Sequence, residues 1–162
     1  MHLTAKADFA VRALVELAGN AEQPAKAEAV AAAQSIPSKV LEAVLGELRR
    51  GGLVQSRRGP DGGYWLARPA ATISIADVVR TIDGPLASVR GERPEDVTYA
   101  GSAAPLRDVW VAVRVNMRAV LERVSIEDVA TNRLPEFVEQ LTTDPEAWRR
   151  RPAPSADTAP TS

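Results

Sequence analysis

Apolar residues recur at helical spacing over residues 4–18, where Phe9, Ala10, Ala13, Leu14 and Leu17 fall on one face. Thr4 is suited to cap this first helix, and Gly19-Asn20 closes it, the glycine fitting a left-handed cap position. Residues 26–34 predict a short alanine-rich helix whose small side chains allow close packing. Ser35-Ile36-Pro37 makes a turn, with Pro37 suited to the first turn of a third helix running to about Arg50. That helix carries an apolar stripe of Val40, Leu41, Val44, Leu45 and Leu48, and Gly51-Gly52 stops it.

The period then changes. Leu53 to Arg58 and Tyr64 to Arg68 are short strand candidates around Gly59-Pro60-Asp61-Gly62-Gly63, a dense turn signal, so the pair predicts a hairpin. Ser74-Ile75-Ala76-Asp77 has capping-box spacing with Asp in place of Glu, opening a helix with Ile75, Val78, Val79 and Ile82 inward and Gly84-Pro85 at its end. Residues 86–101 show no periodicity and predict a loop. Residues 102–124 predict the longest helix, roughly 35 Å, with Ser102 as cap and Pro105 in the first turn. Leu106, Trp110, Val113, Met117, Val120 and Val124 form a heptad seam along it. A second stripe of Val109, Val111, Val115 and Leu121 widens the apolar surface beyond what a small domain needs for itself. A second copy of the chain is the expected cover. Ser125 and Pro135 can each open a short further helix.

The expected class is therefore mostly α with a small β-hairpin: a winged helix-turn-helix followed by a long dimerisation helix. The boundaries expected are 1–85 for the winged helix-turn-helix domain, 86–101 for a loop, and 102–150 for the dimerisation helix with short C-terminal helices. Residues 151–162, mostly Pro, Ala, Ser and Thr, read as a disordered tail.

Composition narrows the function. The chain of 162 residues is 45% hydrophobic, enough for a core. No apolar run approaches the roughly 20 residues of a membrane span, and the N-terminus lacks a signal-peptide stretch, so a cytoplasmic location without membrane contact is expected. There is no cysteine and one histidine, His2. Disulfides, thiol catalysis and thiolate metal sites fall away, and no phosphate-binding glycine motif follows a strand. An enzyme is not expected. Net charge is −1, but residues 39–68 hold six Lys and Arg against three Asp and Glu.

That basic stretch spans the third helix and the hairpin. In a helix-turn-helix, the second helix of the pair enters the major groove by its N-terminal residues, here Ser38, Lys39, Glu42 and Ala43. Lys39 can reach guanine or phosphate, and Glu42 can accept from a cytosine amino group. The same pattern also suits a solvated helix face. In the hairpin, Arg57 and Arg58 flank a glycine-rich tip where a guanidinium can enter a narrow minor groove. Gly59, Gly62, Gly63 and Tyr64 complete the expected DNA-contacting wing, since glycine backbone can approach phosphate closely. An ordinary hairpin explains the glycines but not the clustered arginines.

Residues 58–68 (Arg-Gly-Pro-Asp-Gly-Gly-Tyr-Trp-Leu-Ala-Arg) resemble the wing signature of the Rrf-two (Rrf2) family of bacterial winged-helix regulators. Residues 1–14, 36–42 and 72–86 resemble its first helix, recognition helix and post-wing helix, in that order, and the likeness extends over about residues 1–124. The resemblance implies a homodimer on a palindromic DNA operator, with Glu42 reading a base, Arg58 in the minor groove and Lys39 facing DNA. Ala43 departs from relatives that carry Gln there. Relatives that sense iron–sulfur status or nitric oxide hold a cluster with three cysteines between the post-wing and long helices. Here residues 86–106 contain none, and Asp8, which resembles an acidic cluster ligand, cannot hold a cluster alone. No cofactor is expected. A small-molecule effector near Trp110 and the 86–101 loop is one expectation, Trp110 as dimer packing the other. Control by a protein partner or by concentration alone also remains open. A winged-helix interaction module without DNA binding is the main competing class.

Overall fold

In the computed structural model, which describes residues 2–152, the core is built by three helices and a hairpin and then closed by a returning chain. Apart from Arg151 and Pro152, the expected tail lies outside the described residues. The order is α1 (Ala5–Gly19), α2 (Ala27–Gln34), α3 (Ser38–Arg50), β1 (Val54–Arg57), β2 (Gly63–Leu66), α4 (Ile75–Asp83), α5 (Leu106–Leu121), α6 (Ile126–Ala130) and α7 (Glu136–Thr143), with three short 3-10 turns.

Helix α1 buries Ala7, Ala10, Ala13, Leu14 and Leu17. The Thr4 hydroxyl caps it by accepting from the Ala7 amide at 3.0 Å and donates to Asp83 Oδ1 at 2.7 Å, tying the start of α1 to the end of α4. Gly19 is itself helical and Asn20 forms the cap without a left-handed turn, a correction to the sequence expectation. Between α2 and α3 the left-handed residue is Ser35 (φ 51°), and Ile36 is drawn into the core. Pro37 is the N-cap of α3, one position before the first turn.

Leu41, Val44, Leu45 and Leu48 of α3 are wholly buried against α1, α2 and β1. Val40, placed on that stripe by its spacing, is 37% exposed. It sits a turn before Val44, at the edge where α3 emerges from the core. The antiparallel hairpin pairs Val54 with Leu66 and Arg57 with Gly63. A third backbone segment joins it: Ala25 and Tyr64 exchange hydrogen bonds of 2.9 and 2.8 Å.

Helix α4 opens on the expected capping box, Ser74 and Asp77 bonding reciprocally to each other's amides. Burial pulls the Asp77 pKa upward, but the Ser74 amide and the Arg68 guanidinium, 3.0 Å away, outweigh it and hold the carboxyl below its ordinary value.

Residues 86–101 contain no α-helix or named strand, as expected of a loop, yet the segment is anchored. Val89 and Glu92 pair across a tight turn in which Arg90 and Gly91 both have positive φ, and Pro94 and Val97 are fully buried. Helix α5 is shorter than predicted. Its 16 residues span about 24 Å: Gly101–Ala103 forms a 3-10 turn, Pro105 is the N-cap in place of Ser102, and the helix ends at Leu121. The chain then turns back, the Ile75 amide bonding to Val124 and the Ile126 amide to Ile73, each at 2.9 Å. Ser125 and Asp128 form a second capping box, and Ile126 joins the core beneath α1. Val124, placed on the dimer seam by spacing, is therefore 7% exposed and belongs to this chain's own core. The backbone bonds to Ile73 and Ile75 override its heptad position.

Candidate nucleic-acid interface

The outer face of α3 follows from its inner one. With Leu41, Val44, Leu45 and Leu48 inward, the 3.6-residue period turns Ser38, Lys39, Glu42 and Ala43 outward, and all four are exposed. Among the described residues neither Lys39 nor Glu42 has a hydrogen-bond or ion-pair partner, so both are available to an outside ligand. The one-turn spacing from Ser38 to Glu42 places a hydroxyl, an ammonium and a carboxylate at the N-terminal end of the helix.

The wing divides into an exposed tip and a buried hinge. Arg57 donates to the Asp61 carbonyl at 3.1 Å, which brings one guanidinium across the turn. Arg58 is exposed and unpartnered among the described residues. Gly59 (φ +106°) is exposed, and its carbonyl accepts from Lys26 Nζ at 2.8 Å, so the N-terminal end of α2 braces the tip.

Gly62 and Gly63, expected to approach phosphate, are buried. A Cβ on Gly62 would stand 2.1 Å from the Arg57 carbonyl oxygen, and one on Gly63 2.6 Å from that of Ala25. Their missing side chains serve the close approach of the hairpin to itself and to the Ala25 segment. Tyr64 is likewise half-buried against the core. These three residues position the wing rather than line its outer surface. Lys26 and Arg49, which bonds to Ser56 at 3.2 Å, are charged residues of this region that belong to no local sequence motif. Their roles depend on tertiary proximity that no local pattern carries.

Helix α5 supplies a different surface. It has no buried residue. Val113 is 44% exposed, Val109 and Val115 more so, and Leu106, Trp110, Met117 and Val120 are half-buried. Trp110 donates to the Tyr99 hydroxyl at 2.9 Å, and with Val113, Met117, Leu86 and Val89 it lines an open cavity of about 660 Å³.

A three-helix core with a two-stranded wing, an exposed N-terminal end of α3 and a projecting apolar helix is an arrangement shared with known proteins. The profile of the Rrf2 family, described as an iron-dependent transcriptional regulator, matches residues 3–132. The chain belongs to the Rrf2 family. It is 52% identical over 145 residues to a helix-turn-helix-type transcriptional regulator of Mycobacterium tuberculosis, covering 89% of this chain and 90% of that one. Among solved structures it is similar to CymR, the global cysteine regulator of Bacillus subtilis (28% identity, TM-score 0.70, 82% of this chain and 98% of that one). It is also similar to IscR of T. potens (25% identity, TM-score 0.63, 94% of each). The protein is thus a winged-helix, DNA-binding transcriptional regulator of the Rrf2 family, not an enzyme.

The iron in the family description finds no matching donor set here. The chain has no cysteine, and among the described residues no group of three His, Cys, Asp or Glu is placed to hold a metal. Asp8 is committed to Arg12 at 3.2 Å, and Arg12 in turn donates to the Gln34 carbonyl at the end of α2. No helix among the described residues is long and apolar enough to cross a membrane.

Proposed function

We propose that this Rrf2 regulator is a cytoplasmic, sequence-specific repressor that binds a palindromic operator as a homodimer and works without an iron–sulfur cluster. The observation that carries the reading is the unpartnered, exposed set of Lys39 and Glu42 on α3 and Arg58 on the wing. A carboxylate on a DNA-facing helix is repelled by phosphate, and accepting from a cytosine amino group is among the few roles that reward it. Two copies joined through α5 would present two such helices with two-fold symmetry, which a palindrome matches. A dimer seated on its operator excludes other proteins from that DNA, so repression follows from occupancy alone. Without thiolates, a cluster has no ligands.

Binding to DNA from upstream of its own gene, followed by fluorescence anisotropy across a salt series, tests the contacts. Arg58→Ala is expected to weaken binding and to lower the slope of log K against log salt by about one. An unchanged slope would remove Arg58 from phosphate and groove contact. Glu42→Ala is expected to relax base preference at one position per half-site, by about 1–3 kcal/mol of discrimination, with a smaller change in overall affinity. Selectivity equal to wild type across a randomised half-site would take Glu42 out of base reading.

A further inference from the structure

A second cavity, of about 450 Å³, shares Pro85, Leu86 and Ala87 with the Trp110 cavity and lies between the C-terminal end of α4 and the middle of α5. Four guanidinium groups from three elements line it: Arg80 of α4, Arg93 of the loop, and Arg114 and Arg118, one turn apart on α5. Two carboxylates answer them. Glu95 pairs with Arg114, and Glu122 is shared by Arg80 and Arg118. Because Glu122 serves two arginines, the four cations exceed the two carboxylates by two charges. Arg93 has no partner among the described residues, and the Arg114 Nε–H is buried with no acceptor. The amides of Leu86 and Ala87, which also line the cavity, make no hydrogen bond within the described residues. A buried donor such as the Arg114 Nε–H is ordinarily satisfied, and guanidinium groups favour bidentate carboxylate or phosphate partners.

We propose that this cavity binds a small metabolite carrying paired oxyanion groups and that occupancy sets operator affinity. The Trp110 cavity is a weaker candidate for an effector: Val113 and Met117 on its wall lie on the proposed dimer face, so a second copy would cover them. The arginine cavity lies where α5 meets α4, and α4 packs directly on α3. A dianion bridging Arg80 and Arg93 to Arg114 and Arg118 would fix the angle of α5 against the winged-helix domain, and through it the separation of the two recognition helices. A ligand that binds one such angle better than another shifts operator affinity by that difference.

The regulatory half of this inference rests on the DNA-binding reading; the binding half does not, so calorimetry on the full chain without DNA separates the two. Pyrophosphate and succinate, each titrated against chloride at matched ionic strength, distinguish a phosphate from a carboxylate ligand. Saturable binding of one of them, with one site per protomer, is expected. Arg93→Gln, at an exposed loop position, and Arg114→Gln should each weaken it about tenfold or more. Arg149→Gln, an equal charge loss outside the cavity, should leave it unchanged. Heat that tracks ionic strength alone, or equal affinity in Arg93→Gln and wild type, would overturn the site. Saturable binding that leaves operator affinity unaltered would overturn its regulatory role.

Discussion

Val113→Asp is expected to yield a folded monomer that has lost tight operator binding. Val113 sits mid-way along α5 with 44% of its surface open in the single chain, so an aspartate there stays hydrated and the protomer keeps its core. Helix α5 has no buried residue, while Leu106, Trp110, Val113, Met117 and Val120 repeat at spacings of 4, 3, 4 and 3, the period that one helix presents to another. In a dimer the new carboxylate would face apolar side chains with no cation to answer it. An uncompensated carboxylate buried in an apolar seam costs several kcal/mol, and a two-fold seam meets the substitution twice. The dimer dissociation constant should therefore rise by more than a hundredfold. Operator binding falls with it, because two half-sites are then read by independent protomers. Sedimentation at micromolar concentration gives the mass, circular dichroism the fold, and a gel shift the DNA affinity. A folded dimer would show that the seam lies elsewhere. The same substitution at Val124 should unfold the chain instead, since that side chain lies in its own core.

The contrast between Val113 and Val124 marks how far the sequence is legible. Both fit one heptad series, and nothing local distinguishes them. What removes Val124 is a pair of backbone hydrogen bonds to Ile73 and Ile75 at the entry to α4, made by residues some fifty positions apart. The same limit applies to α5 as a whole: periodicity located it, but its ends were set by Pro105 and by the returning chain. Where a boundary is decided by a side chain next to it, the sequence suffices. Thr4, Ser74 and Ser125 all cap helices, the last two with an Asp three residues on. The outward face of α3 is readable for a related reason, because four buried residues at helical spacing dictate which four point outward. The arginine cavity was not readable at all. Its four cations lie between positions 80 and 118 and converge only through the 84–87 segment.

The wing shows the same division, and it supports the second large effect. Gly62→Ala is expected to cost more DNA affinity than Arg58→Ala, although it removes no charge. A Cβ at position 62 would stand 2.1 Å from the Arg57 carbonyl oxygen and 2.7 Å from the Arg58 carbonyl carbon. Those are backbone atoms of the opposite limb, so no rotamer change relieves the clash, and the turn closed by the Gly62 amide on the Gly59 carbonyl must open. Overpacking of this kind costs about 1–3 kcal/mol. It displaces Arg57 and Arg58 together, and it draws Gly59 away from the Lys26 ammonium that braces the tip. The helical core is untouched, because Leu14, Leu41, Leu45 and Leu48 pack among themselves and not on the tip. Helical circular dichroism should hence match wild type while Tm falls by several degrees and the salt slope drops by more than the single unit expected for Arg58. Gly19→Ala serves as the control: a Cβ there meets nothing within 4 Å on a helical backbone, so Tm should hold or rise slightly. Wild-type operator affinity in Gly62→Ala would mean that the hairpin does not need its closed tip to place the arginines, and the division of the wing into buried hinge and exposed contact would fail.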